Sequence, residues 1–165
     1  MTESTTPKTY SIRQAQPNEA SLLTELNWRS KAYWGYDDDF MNLVRDEMIT
    51  TAEDIINEHV YILENSDHRI MGFYELKTLD NHLHLDALFI DPSVIGLGYG
   101  RALFNHAASL AVELGFNQFT LEADPNAEAF YLKLGARRVG ERESRIKGRF
   151  LPQMLYSIPA FDIDN

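Results

Sequence analysis

The chain has 165 residues, of which 44% are hydrophobic, and its formal net charge at pH 7 is −10. This length accommodates one well-buried core and is short for two. The sequence has no cysteine, which excludes disulfides, thiolate nucleophiles and cysteine-based zinc sites. A negative charge without any block of Lys and Arg disfavours nucleic acid as a partner. No apolar run approaches the roughly 18 residues of a membrane span, so we expect a protein of the cytoplasm without a membrane partner.

The amino-terminal third predicts one strand and two helices. Residues 1–8 are polar and rich in Thr and Ser, which predicts a flexible tail, and Tyr10–Ala15 predicts a first strand. Apolar residues then recur at helical spacing over Asn18–Trp34, and Gly35 follows as a stop. The three aspartates at 37–39 predict the cap of a second helix, because carboxylates stabilise a helix amino terminus.

Strands dominate the rest of the chain. Three strands separated by short polar turns are predicted at Val60–Glu64, Arg69–Lys77 and His82–Asp91. Together they indicate an antiparallel meander. An amphipathic helix, Arg101–Leu114, then precedes a strand at Phe119–Asp124, and a helix between strands implies a parallel pair. A short helix and two strands complete the prediction: Ala127–Leu134, Arg138–Arg142 and Phe150–Ile158. The fold class is therefore α/β with a mixed sheet.

A glycine-rich loop joins the third meander strand to the long helix. Gly96, Gly98 and Gly100 alternate, so the backbone can approach a ligand without interference from a Cβ atom. The free N–H groups at the start of the helix favour an anion there, and a phosphate or pyrophosphate fits best. The loop lacks the Lys-Ser/Thr of an NTPase phosphate loop. A dinucleotide fingerprint is one residue wider, but Glu122 lies where that motif has its ribose-binding acid, so a nucleotide-binding oxidoreductase is an alternative.

Two segments resemble those of a known family. Residues 88–92, Leu-Phe-Ile-Asp-Pro, followed by Gly98-x-Gly100, resemble the acetyl-CoA motif of the GNAT superfamily of N-acetyltransferases. Residues 124–136 resemble a second segment of that family, compressed by one or two residues before Phe130. The two segments occur in the family's order, about 25 residues apart. The chain is thereby identified as a member of this superfamily.

The resemblance implies acetyl-CoA as cosubstrate and gives several residues a role. The pantetheine arm would lie along the backbone of Phe89 and Ile90, and Asn126 would hydrogen-bond it. The loop amides that would hold the pyrophosphate are those of Leu97, Gly98, Gly100 and Arg101. Tyr131 would lie by the sulfur and donate a hydrogen bond to the developing thiolate. Ile95 replaces the family's usual Arg or Gln, which removes one side-chain contact to the cofactor.

For the whole chain the resemblance implies one domain over residues 9–165, with a mixed, mostly antiparallel sheet of about seven strands flanked by about four helices. The expected reaction moves the acetyl group of acetyl-CoA directly to an amine in a ternary complex. A small-molecule amine is the favoured acceptor; the alternatives are an amine of a protein or peptide, or a non-catalytic acyl-CoA-binding module. A homodimer and a monomer are both open.

The last meander strand contains the candidate bases. His82, His84 and Asp86 alternate, so we expect all three on one side of the sheet. The opposite side is then apolar: Leu83, Leu85, Ala87 and Phe89. His84 and Asp86 could accept the proton of the amine beside the thioester, and a solvated or internally paired sheet face is the equal alternative. A metal site is set aside, because His82 and Asp86 lie about 13 Å apart along an extended strand.

An aromatic stretch at the end of the first helix predicts the wall of the acceptor pocket. Trp28, Tyr33 and Trp34 would bind the acceptor there, since aromatic walls suit an alkyl or aryl amine. Ordinary core packing is the alternative. A basic cluster at Arg145, Lys147 and Arg149 would contact an acidic acceptor or the adenosine phosphates, or be a solvated turn.

Overall fold

The computed structural model describes residues 9–159, and the tail predicted at residues 1–8 lies outside the described residues. Within them lie seven strands: β1 (Tyr10–Gln14), β2 (His59–Asn65), β3 (Ile70–Leu79), β4 (His82–Ile90), β5 (Gln118–Glu122), β6 (Arg137–Glu143) and β7 (Phe150–Ser157). Five α-helices connect them: α1 (Ala20–Ala32), α2 (Asp38–Val44), α3 (Ala52–Asn57), α4 (Tyr99–Glu113) and α5 (Glu128–Lys133). In the described range no helix is both long and apolar enough to cross a membrane.

All seven strands belong to one sheet, in the order β1-β2-β3-β4-β5-β7-β6. Every neighbouring pair is antiparallel except β4 and β5, which are parallel and are connected through α4. The predicted mixed, mostly antiparallel α/β sheet is therefore confirmed. So is the argument behind it, because a helix that intervenes between adjacent strands lets the second strand run in the same direction as the first.

The helix starts show why the sequence predicts four helices whereas residues 9–159 contain five. Asp37 caps α2 as expected, its carboxylate accepting a hydrogen bond from the Phe40 amide at 2.8 Å. The additional helix, α3, begins at a capping box in which Thr51 and Asp54 accept hydrogen bonds from each other's backbone amides. It has six residues and buries only Ile55, so its apolar periodicity is too short to recognise.

Two apolar layers cover the two faces of the sheet. Helix α4 packs on one face through fully buried residues such as Leu103 and Phe104. Helix α1 packs on the other face, where Leu23 and Leu26 contact a cluster that includes Phe73. Burial of several large side chains on each side, at about 1.5–3 kcal/mol each, holds the sheet between the helices.

A β-bulge interrupts β4 in the middle. Glu75 of β3 pairs with Ala87 and the next residue, Leu76, pairs with Leu85, so Asp86 is an extra residue without an opposite partner. An extra residue on one strand disrupts the ladder locally and shifts the alternation of side chains by one position.

The bulge corrects one expectation about β4. Leu83 and Leu85, before the bulge, pack in the α4 layer. Ala87 and Phe89, after it, pack in the α1 layer instead. The prediction that these four residues share one face is therefore wrong, because regular alternation does not continue through a bulge.

Candidate active site

The strands β4 and β5 separate to form a cleft. They pair only at His84–Thr120 and Leu85–Leu121, and beyond these pairs each strand continues without the other. The space between them is a cleft of about 910 Å³, lined by the carboxyl-terminal half of β4, the glycine loop, the end of β5 and the loop between β6 and β7. Phe89 and Ile90 pair with β3 on one edge of β4. Within the described part of the chain, no strand pairs with them on the edge that faces β5. Free backbone groups on such an edge can hydrogen-bond an extended ligand as an added strand would.

The glycine loop places the start of α4 at one end of the cleft. Gly98 is the N-cap residue of α4 with φ of +87°, a left-handed conformation that favours glycine. The first helical hydrogen bond runs from the Ala102 amide to the Gly98 carbonyl at 3.1 Å. The amides of Tyr99, Gly100 and Arg101 precede that bond and are therefore free for an anion.

Two residues of the loop, Leu97 and Gly100, have contacts that the sequence did not predict. The Leu97 amide donates to the Val94 carbonyl at 3.3 Å, and Leu97 lies outside the cleft lining, apart from the other predicted pyrophosphate ligands. At Gly100, a Cβ atom would lie 3.0 Å from the Phe130 ring. Glycine is thus needed there for the approach of α5, whereas the sequence argument placed the missing Cβ against the phosphates.

Tyr131 is buried between α4 and the cleft. It is 8% exposed, its ring packs near Phe104, and it lines the cleft. Its hydroxyl has no hydrogen-bond partner among residues 9–159. Burial raises the pKa of the Tyr131 hydroxyl, so the group stays protonated and is available as a donor.

His84 and Asp86 both line the cleft, but they do not hydrogen-bond each other in the described structure. The Nδ1 atom of His84 lies 2.8 Å from Oγ1 of Thr120, while Asp86 lies 3.5 Å from Nζ of Lys77. The two candidate bases therefore do not form a directly hydrogen-bonded pair. Burial, opposed by the charges of Asp86 and Glu122, lowers the pKa of His84, so the imidazole is neutral at pH 7.

A group of polar side chains that the sequence analysis did not connect with one another joins the two walls of the cleft. We call it the Asp124 cluster: Lys31, Tyr36, Asp124, Asn126 and Arg149. The Asp124 carboxylate accepts hydrogen bonds from Lys31, from Tyr36 at 3.0 Å and from Arg149 at 3.2 Å. The Nδ2 atom of Asn126 donates to the Tyr36 hydroxyl at 2.9 Å and to Asp124 at 3.0 Å. Its Oδ1 atom is left to accept a hydrogen bond from a ligand.

Charge in the Asp124 cluster is strongly coupled. The side chains of Lys31, Asp124 and Arg149 are only 14%, 12% and 16% exposed. Burial by itself raises the pKa of Asp124. The positive charge of Lys31 and the hydrogen bonds that the Asp124 carboxylate accepts outweigh burial, so the pKa of Asp124 is lowered overall. Burial lowers the pKa of Lys31 more than Asp124 raises it. The cluster fixes the α1–α2 loop to the turn after β5, because its three buried charges balance one another and Tyr36 and Asn126 hydrogen-bond to Asp124.

The aromatic residues predicted for the acceptor pocket divide into two groups. Tyr33 and Trp34 line the cleft, are 52% and 43% exposed, and pack edge to face with ring centroids 5.4 Å apart. Trp28 lies outside the cleft lining; its ring packs under the Arg45 guanidinium and beside a small cluster around Met41. The core-packing alternative thus describes Trp28.

Two charged pairs occupy the rim of the cleft. Arg142 binds the carboxylate of Glu122 through Nε and Nη2, each at 2.8 Å. Glu122 is thus already paired, which weakens the alternative in which it binds a ribose. Arg145 lies 3.3 Å from Glu47, and both residues line the cleft, whereas Lys147 does not. The basic cluster predicted from the sequence is therefore divided between the rim and the Asp124 cluster.

Comparison with known proteins agrees with this geometry. The family model described as Acetyltransferase (GNAT) domain matches residues 30–155. The peptidyl-lysine N-acetyltransferase YjaB of Escherichia coli is 32% identical over 147 residues, 86% of this chain and 92% of that protein. The solution structure of apo YjaB superposes with a TM-score of 0.66 at 25% identity, covering 93% of this chain and 99% of that one.

A second solved structure shows the same fold. It is the PaiA N-acetyltransferase of Thermoplasma acidophilum in complex with coenzyme A, with a TM-score of 0.72, 19% identity, and coverage of 90% of this chain and 99% of that one. The family match spans most of the sequence and includes the glycine loop and the second motif. The chain therefore belongs to the GNAT family of acetyltransferases, and acetyl-CoA is its cosubstrate.

Proposed function

We propose that this enzyme transfers the acetyl group of acetyl-CoA to the Nε amine of a lysine residue in a peptide or protein. The observation that carries the proposal is the 32% identity, over most of both chains, to an enzyme named for that activity. The open, aromatic rim at Tyr33 and Trp34 supports it, since a lysine side chain can extend into the cleft while the rest of the peptide stays outside. A peptide acceptor thereby replaces the small-molecule amine that the sequence favours.

Acetyl-CoA would bind along the cleft. Its pyrophosphate is placed at the free amides of α4, from Tyr99 to Arg101, where the helix dipole also favours negative charge. Its pantetheine arm follows the unpaired edge of β4 at Phe89 and Ile90, and Asn126 Oδ1 accepts a hydrogen bond from it. This order brings the thioester toward the bulge at Asp86.

At the thioester, the proposed chemistry needs a base and a donor. A lysine ammonium with a pKa near 10.4 is only about one part in 10³ neutral at pH 7, so a base that removes its proton contributes directly to the rate. Neutral His84 takes that proton. The amine then forms the N–C bond, the C–S bond breaks, and the leaving thiolate is stabilised by a hydrogen bond from the Tyr131 hydroxyl. The second proton that the nitrogen loses as the amide forms ends on this sulfur, so CoA leaves as the thiol.

The acceptor class is tested with matched peptides and free thiol as the readout. With a lysine peptide whose amino terminus is blocked, the enzyme is expected to release CoA from acetyl-CoA. With the same peptide carrying Arg in place of Lys, no CoA release is expected. A panel of small amines at equal concentration provides the comparison. Turnover of a small amine well above that of every lysine peptide would overturn the peptidyl-lysine proposal and restore the small-molecule acceptor.

Removal of the Tyr131 hydroxyl tests the donor role. Tyr131→Phe is expected to lower kcat by about tenfold and to leave the Kd for CoA nearly unchanged, because the hydroxyl acts only as charge develops on sulfur. Steady-state kinetics and calorimetry measure the two quantities. Tyr156→Phe is the matched control, since Tyr156 packs on the same ring of Phe104 but does not line the cleft. Equal kcat values for the two variants would reduce Tyr131 to a packing residue.

Three further predictions from the sequence stay predictions. They are the single domain over residues 9–165, the cytoplasmic location and the open choice between monomer and homodimer.

A further inference from the structure

We propose that Thr120 is a positioning residue that holds His84 in the tautomer required of a base. This inference rests on the proposed role of His84. Thr120 lies on β5 directly opposite His84, at one of the two pairs that join β4 to β5 before the cleft opens. Its Oγ1 atom is 2.8 Å from His84 Nδ1 and 3.4 Å from the carbonyl oxygen of Leu83.

The hydroxyl of Thr120 has one proton to donate, and this decides the tautomer. When that proton points to the Leu83 carbonyl, Oγ1 must accept a hydrogen bond, and the N–H of His84 Nδ1 supplies it. The lone pair of the neutral ring is then on Nε2. His84 lines the cleft, so Nε2 is the nitrogen left to take a proton from the acceptor amine. In the opposite tautomer Nε2 has a proton and cannot act as a base.

The parallel strand pair places Thr120 directly opposite His84. Both residues lie in strands at the first of the two ladder pairs, followed by Leu85–Leu121 before the strands separate, and His84 is half-buried. The charged or titratable groups that influence His84 are Asp86 and His82 on β4, Glu122 on β5 and Lys77 on β3. None of them hydrogen-bonds its ring in the described part of the chain, so the Thr120 hydroxyl determines the orientation of the imidazole. Thr120 itself takes no proton in the reaction.

The tautomer can be measured without any substrate. Long-range ¹H–¹⁵N spectra of the free protein at pH 8 distinguish protonation at Nδ1 from protonation at Nε2, and the signal of His84 is identified by its absence from His84→Ala. The wild type is expected to show His84 protonated at Nδ1. Thr120→Ser should preserve this state, and Thr120→Val should give a mixture of tautomers. A wild-type ring protonated at Nε2 overturns the proposal, whether or not His84 is the base.

Kinetics then connect the tautomer to catalysis. Thr120→Val is expected to lower kcat about fivefold with the KM for acetyl-CoA unchanged, and to alter the acidic limb of the pH profile, because part of His84 is in the inactive tautomer and has lost a hydrogen bond. Thr120→Ser should restore both to near wild type. A Thr120→Val enzyme with the wild-type kcat and pH profile would overturn the positioning role.

Discussion

Gly98→Asp is expected to weaken CoA binding about 100-fold more than Gly98→Asn, a difference of about 2.7 kcal/mol. Gly98 is the N-cap of α4 with φ of +87°, and Asn and Asp are the non-glycine residues that best tolerate this conformation. The two variants therefore share backbone strain and bulk and differ in one charge. A carboxylate at this position repels a pyrophosphate bound to the adjacent amides by several kcal/mol in a partly enclosed site.

Calorimetry of both variants with CoA measures the difference, and its salt dependence provides the control. The gap between the two variants should narrow at high ionic strength, since repulsion between partly exposed charges is screened. Equal affinities for Gly98→Asp and Gly98→Asn would mean that no phosphate lies at the start of α4. Gly98 is a sharper choice than Gly100, where a new side chain would collide with Phe130 before it met a ligand.

His84→Ala is expected to lower kcat/KM by about 10²-fold and to abolish the acidic limb of the pH profile. In the wild type that limb should have its midpoint below the ordinary value of 6.5, because burial lowers the pKa of His84. The neutral imidazole of His84 is the active form. The value of kcat/KM therefore falls as the pH drops through the pKa of His84, and His84 causes no loss of activity at higher pH. The ratio of wild-type to variant rates at each pH cancels the ionisation of the acceptor amine.

Two further variants on β4 serve as comparisons for His84→Ala. His82→Ala should be close to wild type, since His82 is exposed and lies outside the cleft lining. Asp86→Asn should cost less than His84→Ala, because the carboxylate contacts Lys77 and acts on His84 only through its charge. An acidic limb that persists in His84→Ala at a near-normal rate assigns the base to another group.

Much of the fold could be predicted because its signals are local. The parallel arrangement of β4 and β5 followed from the helix between them, and the cap of α2 from three consecutive aspartates. The bulge at Asp86 could not be predicted, because the sequence alternates regularly from His82 to Ala87. The extra residue is a property of the pairing with β3, and pairing is not visible in one strand.

In the candidate site, too, features encoded in a contiguous segment could be predicted, and features formed by distant residues could not. The glycine loop and the motif around Asn126 and Tyr131 are contiguous segments, and their residues do line the cleft, with Leu97 the exception. The Asp124 cluster contains a hydrogen bond between residues 113 positions apart in the sequence, Arg149 and Tyr36. Thr120 and His84 are 36 positions apart. Contacts of this kind depend on the folded topology, so they cannot be predicted from a local sequence pattern.

The Asp124 cluster couples binding at the acceptor end of the cleft to binding at the cofactor end. Tyr36 follows the segment of Tyr33 and Trp34, where the acceptor is proposed to enter, and it also accepts the hydrogen bond that orients Asn126 on the cofactor side. An acceptor that displaces Tyr36 must therefore change the affinity for acetyl-CoA. Thermodynamic reciprocity then requires acetyl-CoA to change the affinity for that acceptor by the same factor. The cooperativity between the two substrates would then follow from five side chains that touch no reacting atom.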